Sequence, residues 1–394
     1  MSDQTLSFSG SLDRARMVRE RHARLVGALA DQGLDVLLLL GQGNVNYATG
    51  ARMPDADQAQ ALHHRAVAVV SADGTPPVVF TSAPERVPTD LGAEVRPRLD
   101  LEWEDGAAQL RDALPPGRLA VDDLTVPLWQ ALADRDPQDA SGALGAAKLC
   151  KTADELECIR RAQAVNEAAI TELEGAVALG VTGTELTGHF VRRVLELGAS
   201  GSTVDPVWQV MPSSIAAGPF SATGDLVFPT VTTQQPFQGG DVVFVDTGIH
   251  YEGYQSDYGH TWVVGGDIDA RHREHCQRWL DTVDAVLEVT KPGATGRDLT
   301  RAAGEVYGRR PWLAHLYLAH GTGTESAEMP FVGTDLGEEF DASIVLAPGM
   351  VLVLEPVIWD DGRGGFRSEQ IVAVTDDGFE SLSHLRYGAY GVDR

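Results

Sequence analysis

The chain has 394 residues, 43% hydrophobic and 22% charged, with a formal net charge of −26. That length predicts two domains of an ordinary globular protein, and the acidic balance argues against nucleic acid or anionic membrane as partners, since both are held by basic patches. Three scattered cysteines, Cys150, Cys158 and Cys276, exclude a disulfide framework or a four-cysteine zinc site and fit a reducing cytoplasm.

Met1 to Arg24 carries charges with no continuous apolar run, so it does not read as a secretory signal, and no apolar run approaches membrane-spanning length. Leu12 to Leu34 has Arg, Ala and Leu at helical spacing, with Gly33 placed to stop it. Asp35 to Leu40 reads as a buried strand. Gly41-Gln-Gly43 after it lacks the third glycine and the following helical pattern of a dinucleotide loop. Short strands are expected at Val67–Ser71 and Pro77–Thr81, a partly helical stretch at Asp100 to Asp112, and another strand at Leu119 to Asp122. Alternating helix and strand predict an α/β domain over 1–147. From Thr152 a long helical pattern runs through Ile159, Ala162 and Val165, opening a second domain over 148–394.

The second domain contains a duplication. Leu179-Gly-Val-Thr-Gly-Thr-Glu-Leu-Thr187 matches Pro292-Gly-Ala-Thr-Gly-Arg-Asp-Leu-Thr300, each placed between two helical patterns. Further on, Gly240-Asp-Val-Val-Phe-Val-Asp246 matches Gly349-Met-Val-Leu-Val-Leu-Glu355, and each is followed by a serine–acid pair, Ser256-Asp257 and Ser368-Glu369. Two copies are too few for a solenoid and suit a pseudo-twofold α+β domain with both carboxylate pairs facing one centre. Glycines between Asp246 and Asp257 fit a hairpin that brings them together, and side-chain alternation lets adjacent strands present both inward. With His320 between the copies, four carboxylates and one imidazole suit two divalent ions of Mn, Fe, Co or Zn, which serve metal-assisted hydrolysis.

These motifs resemble the pita-bread metallopeptidases, among them prolidase, aminopeptidase P and methionine aminopeptidase, with their relative creatinase. His320-Gly-Thr-Gly323 is similar to the family's ligand-histidine loop, Glu355-Pro356 and Arg367-Ser-Glu369 to its last two ligand motifs, and Gly43 to Gly50 to part of the creatinase-type N-terminal domain. The resemblance implies a pita-bread catalytic domain behind a creatinase-like α/β domain. It implies that Asp246 and Glu369 bridge two metals, that Asp257 holds one, and that His320 and Glu355 hold the other, with Glu355 as general base. It also implies a homodimer, with Met53-Pro-Asp-Ala-Asp57 a candidate for the wall of a neighbour's site.

The chain departs from the family at two substrate-contacting histidines. One neighbourhood reads Leu226-Val-Phe-Pro-Thr230; the other place is Ala327, followed by Glu328. The family's Ser-Asp-x-Thr-Arg-Thr run has Gly259 and His260 as substitutions. Tyr254, His315, Glu328 and Arg367 are the candidate substrate contacts. For Tyr254 the rival role is packing the hairpin; for Arg367 it is pairing with a ligand carboxylate. Strand alternation turns His260 away from the centre, and His272, His275 and Cys276 read as a solvated helix surface. The expected activity is cleavage of a C–N bond in a small dipeptide-like or amide substrate, similar to an Xaa-Pro dipeptidase. A metal-dependent lyase and a non-catalytic binding module are the alternatives.

Overall fold

In the computed structural model, which describes residues 6, 8, 10–53, 61–62, 64–202, 206–211, 236–265, 268–308, 318–360 and 362–392, the chain forms two compact units. Leu12–Asp154 is the first; Met1–Ser11 together with Glu155–Arg394 is the second.

A mixed six-stranded sheet organises the first unit. Its strands are β1 (Val36–Leu39), β2 (Val67–Ser71), β3 (Val78–Thr81), β4 (Glu94–Pro97), β5 (Leu119–Val121) and β6 (Gln138–Asp139), in the order β4-β3-β2-β1-β5-β6. The central strand β1 is buried at every position, which explains its unbroken apolar run. Leu37 and Leu39 enter one core with Leu25 and Leu29 of helix Arg14–Asp31 and Leu144 of helix Ser141–Leu149. Val36 and Leu38 enter the other with Leu110 of helix Glu104–Ala113 and Leu128 of helix Val126–Ala131. The expected division at 147/148 lies inside the Ser141–Leu149 helix, which the first core retains through Ala143, Leu144 and Ala147.

A helix does follow Gly41, contrary to the sequence reading: it spans Gln42–Thr49. Its Val, Asn, Tyr and Thr residues are weak helix formers, so propensity hides it. Tertiary anchors hold it instead. Asp122 accepts from Leu40 N (2.7 Å), Gly41 N (3.0 Å) and Asn44 Nδ2 (2.8 Å), and Gly50 closes the helix at φ +75°.

The second unit is built twice from one plan. Helix Ala153–Glu174 and helix Gly183–Glu196 precede one ladder; helix Ala270–Val289 and helix Gly296–Tyr307 precede the other. Thr182 and Thr295 each N-cap their second helix in a reciprocal capping box, with Glu185 and Asp298. The first copy carries β7 (Gly201–Ser202), β8 (Val207–Val210), β9 (Val242–Thr247), β10 (Ile249–Tyr251), β11 (Tyr254–Gln255) and β12 (Tyr258–Val263). The second carries β13 (Ala319–Gly321), β14 (Glu328–Val332), β15 (Val351–Leu354), β16 (Val357–Asp360), β17 (Gly364–Arg367), β18 (Gln370–Val374) and β19 (Phe379–Ser381). β9 pairs antiparallel with β12, as β15 does with β18. The entry glycines match in detail: Gly240 (φ +86°) donates to Val264 O at 2.8 Å, and Gly349 (φ +89°) donates to Val374 O at 2.9 Å. Each starts a strand that delivers its carboxylate at the far end.

Candidate metal centre

Asp246 sits near the end of β9, opposite Gly259 on β12. Asp257 precedes β12, Glu355 follows β15, Glu369 precedes β18, and His320 lies on β13. All are deeply buried apart from Asp257, which is partly exposed. Carboxylate oxygens of Asp246, Asp257 and Glu369 lie within 4.8 Å of one another. His320 Nε2 is 3.4 Å from Asp257 Oδ2 and 3.3 Å from Glu355 Oε1. The four carboxylates named from the duplicated frame and His320 between its copies therefore meet in one place.

The polar residues of helix Ala153–Glu174 stitch the first pair together. Asn166 Nδ2 donates to Thr247 O and Ser256 Oγ, both at 2.9 Å, while Thr247 Oγ1 donates to Asn166 Oδ1 at 3.0 Å. Gln163 Oε1 accepts from Asp257 N at 3.3 Å. Asn166 and Gln163 fill buried helix positions where an apolar residue would normally stand, a sequence signal for this clamp that went unread. In the second pair, Ser368 Oγ and Glu369 N both donate to Gly259 O, at 2.9 and 3.0 Å. The recurring serines are thus backbone stitches beside the acids.

Gly259 has a steric reason. A Cβ there would stand 2.5 Å from the Glu369 carboxylate, so any side chain would collide with it. His260 points away, as alternation predicts. It is buried among the rings of Trp262, Phe366, Tyr387 and Tyr390, with Nδ1 3.1 Å from Ser368 Oγ, and burial pushes its pKa down to about 4.

Arg367 is the cation among these acids. It pairs with Glu355, with Glu369 at 2.9 Å and with Asp246 at 3.5 Å, and its guanidinium lies 4.5 Å from the Phe244 ring centre. One guanidinium does not balance four carboxylates, three of them deeply buried. Burial pushes Asp246 up to about 8, against Arg367 and with the help of Asp257 and Glu355. Burial also raises Asp257 and lifts Glu369 well above the usual carboxylate range, with Asp257 and Asp246 adding to the effect on Glu369.

The donor set fits divalent cations. Glu369 Oε2 is buried with no hydrogen-bond donor among the described residues. His320 Nδ1 lies 2.9 Å from Gly321 O, and since a carbonyl only accepts, the Nδ1 proton is spent there. Nε2 faces the carboxylate oxygens of Asp257 and Glu355, where a cation between them would meet nitrogen and oxygen donors together.

Tyr254 is fully buried and donates to Glu155 Oε1 at 2.8 Å, which is the packing role. Glu328 opens β14, paired across from Gly321, and Ala327 beside it offers no side-chain donor. His315, residues 226–230 and residues 54–57 lie outside the described residues. His272, His275 and Cys276 are buried, which corrects the solvated-surface expectation. His272 completes a capping box with Asp269, and His275 Nε2 reaches Asp360 Oδ2 at 3.2 Å: tertiary partners, absent from the helix's own pattern, bury this face.

The clamp is testable. Asn166→Ala removes three buried hydrogen bonds and is expected to cost about 2–3 kcal/mol of stability, read from the urea midpoint, and to weaken divalent-ion affinity. An unchanged midpoint would remove the clamp from this account.

The sequence profile of metallopeptidase family M24 matches residues 157–376, and that of the creatinase/prolidase N-terminal domain matches residues 21–160. The Xaa-Pro dipeptidase of Lactobacillus helveticus is 27% identical over 375 residues, covering 90% of this chain and 94% of that protein. The probable dipeptidase PepE of Mycobacterium tuberculosis H37Rv is 26% identical over 391 residues, covering 94% and 95%. Among solved structures, the prolidase of Thermococcus sibiricus is similar with a TM-score of 0.75 at 19% identity, covering 96% of this chain and 98% of its own. The prolidase of Pyrococcus horikoshii gives a TM-score of 0.73 at 20% identity, covering 93% and 99%; likeness at such identity speaks for the fold alone. With a creatinase-type domain leading a duplicated α+β pita-bread domain, the chain belongs to metallopeptidase family M24 and is a metal-dependent hydrolase of C–N bonds.

Proposed function

We propose that this chain is a dipeptidase acting on Xaa-Pro-type dipeptides with two divalent cations. The observation that carries the reading is the convergence of Asp246, Asp257, His320, Glu355 and Glu369, with His320 Nε2 turned toward the acids. Oxygen-rich donors with one imidazole suit Mn, Fe, Co or Zn. Asp246, Asp257, His320, Glu355 and Glu369 are the residues that would hold the pair. Bound there, the cations supply Lewis acidity toward the scissile carbonyl and lower the pKa of water. Glu355 takes the proton from the attacking water and returns it to the leaving amine. Arg367 pairs with Glu355 and Glu369 and fixes their orientation. The dipeptide preference is supported by the relatives named Xaa-Pro dipeptidase and probable dipeptidase.

Among the described residues no helix is long and apolar enough to cross a membrane. A cytoplasmic setting is supported by three cysteines that form no disulfide. A homodimer follows from the family resemblance and is read by light scattering, where a monomer at assay concentration would remove it.

Hydrolysis of Xaa-Pro dipeptides by the purified protein is expected to cease on chelation and return with divalent metal. Solvent oxygen is expected in the new carboxylate; an alkene product without label would make the enzyme a lyase. Glu355→Gln is expected to lower kcat by about 100- to 10,000-fold.

Stability of the metal-free protein should report the crowded acids. The Asp246 pKa rises to about 8 in the fold, above its unfolded value, so the folded state keeps a proton that the unfolded chain releases. Stability therefore falls as pH rises between those values. The metal-free Tm is expected to drop from about pH 5 to about pH 8, and added divalent ion to raise it more at the higher pH. A metal-free Tm that rises over this range would contradict the crowding.

A further inference from the structure

His260 stands outside the acidic cluster but is joined to it through one hydroxyl. Ser368 Oγ lies 2.9 Å from Gly259 O, 3.1 Å from His260 Nδ1 and 3.2 Å from Tyr387 OH. A serine hydroxyl has one proton to give and two lone pairs that accept. Gly259 O only accepts, so the proton belongs to that contact, and Ser368 Oγ accepts at the other two. His260 Nδ1 must then carry a hydrogen. Any other assignment sets lone pair against lone pair at one of the three contacts. Burial lowers the His260 pKa to about 4, so the ring is neutral and has a single N–H to spend.

The stretch from Arg367 to Glu369 is laid against β12. Thr261 Oγ1 donates to Arg367 O at 2.7 Å and accepts from Arg367 N at 3.1 Å. Glu369 N donates to Gly259 O at 3.0 Å, the same oxygen that Ser368 Oγ reaches. Side chains alternate along this stretch: Arg367 and Glu369 face the acids, and Ser368 faces His260. His260 and Ser368 are 3% and 0% exposed, so bulk solvent cannot stand in for a lost donor. The other side is equally close, since a Cβ on Gly259 would stand 2.5 Å from the Glu369 carboxylate. A small rotation of the Ser368–Glu369 peptide therefore moves that carboxylate relative to Asp246 and Asp257. Gly259 and His260 are also the two substitutions in the family's Ser-Asp-x-Thr-Arg-Thr run.

We propose that His260 is a positioning residue for the metal centre: its Nδ1–H fixes the Ser368 hydroxyl, which through Gly259 O keeps Glu369 in register with Asp246 and Asp257. This role presupposes that Glu369 binds metal; it is independent of the dipeptide preference.

The test compares two substitutes of nearly equal shape. His260→Asn loses the ring but keeps an N–H donor where Nδ1 stands; His260→Leu loses both. If the ring only fills space, leucine is the better replacement, because a buried amide costs more than a buried methyl. If the donor matters, asparagine is better. Mn²⁺ is titrated into the full-length, chelator-stripped protein and the free ion is read by electron paramagnetic resonance. His260→Leu is expected to weaken binding by at least about tenfold, and His260→Asn to recover most of that loss. Affinity unchanged in His260→Leu, or reduced as much in His260→Asn, overturns the proposal. Should the unchanged protein take up no Mn²⁺, the metal reading falls and this role with it. Ser368→Ala is expected to match His260→Leu, and the double variant to lose no more than either alone, since both cut one relay. Additive losses overturn the proposal. In ¹⁵N-histidine spectra, the resonance that His260→Asn removes is expected to be an Nδ1-protonated ring; an Nε2-protonated one also overturns it. Should His260→Leu misfold, this tautomer and the Ser368→Ala affinity decide by the same criteria.

Discussion

Everything in the second unit answers to the cost of gathering Asp246, Asp257, Glu355 and Glu369 in one largely buried place. Carboxylates stripped of hydration and set against one another are stable only if protonated or neutralised by cations. Arg367 supplies one positive charge, held from four directions by three acids and the Phe244 ring. The remaining imbalance is what a family of metal-dependent hydrolases exploits. A site that is electrostatically uncomfortable when metal-free is, for the same reason, strongly attractive to divalent cations.

Holding such a cluster together requires a frame stiffer than a loop. The duplicated plan provides it: a capped helix, an entry glycine in the left-handed region, and a ladder whose far end carries the acid. The stitches differ between copies. In the first they come from a helix, through Asn166 and Gln163; in the second they come from Gly259 O of the first copy's own strand. Glu369 is thus positioned by the strand that follows Asp257, so the two halves cannot drift apart independently.

Much of this was legible because it is periodic or repeated. The strand at Val67–Ser71 and the helical face of Ile159, Ala162 and Val165 follow from local pattern, and the four carboxylates of the centre follow from matching two copies against each other, with His320 added by the family resemblance. What escaped depends on partners distant in sequence. The Gln42–Thr49 helix exists because Asp122, about eighty residues on, holds its start. Burial of His275 depends on Asp360. Nor does local pattern mark Asn166 and Gln163 as buried polar positions, since their partners Thr247, Ser256 and Asp257 lie about eighty to ninety residues on.

Gly259 shows how a residue without chemistry can govern chemistry. The Glu369 carboxylate rests where the first carbon of any other side chain would stand, and the same peptide unit offers its oxygen to Glu369 N. The main chain here acts as a mould for a buried carboxylate. A mould tolerates no infill: even the smallest added methyl would push the acid out of register with its neighbours. In this protein the permitted positions of the ions are therefore set partly by an absence of atoms.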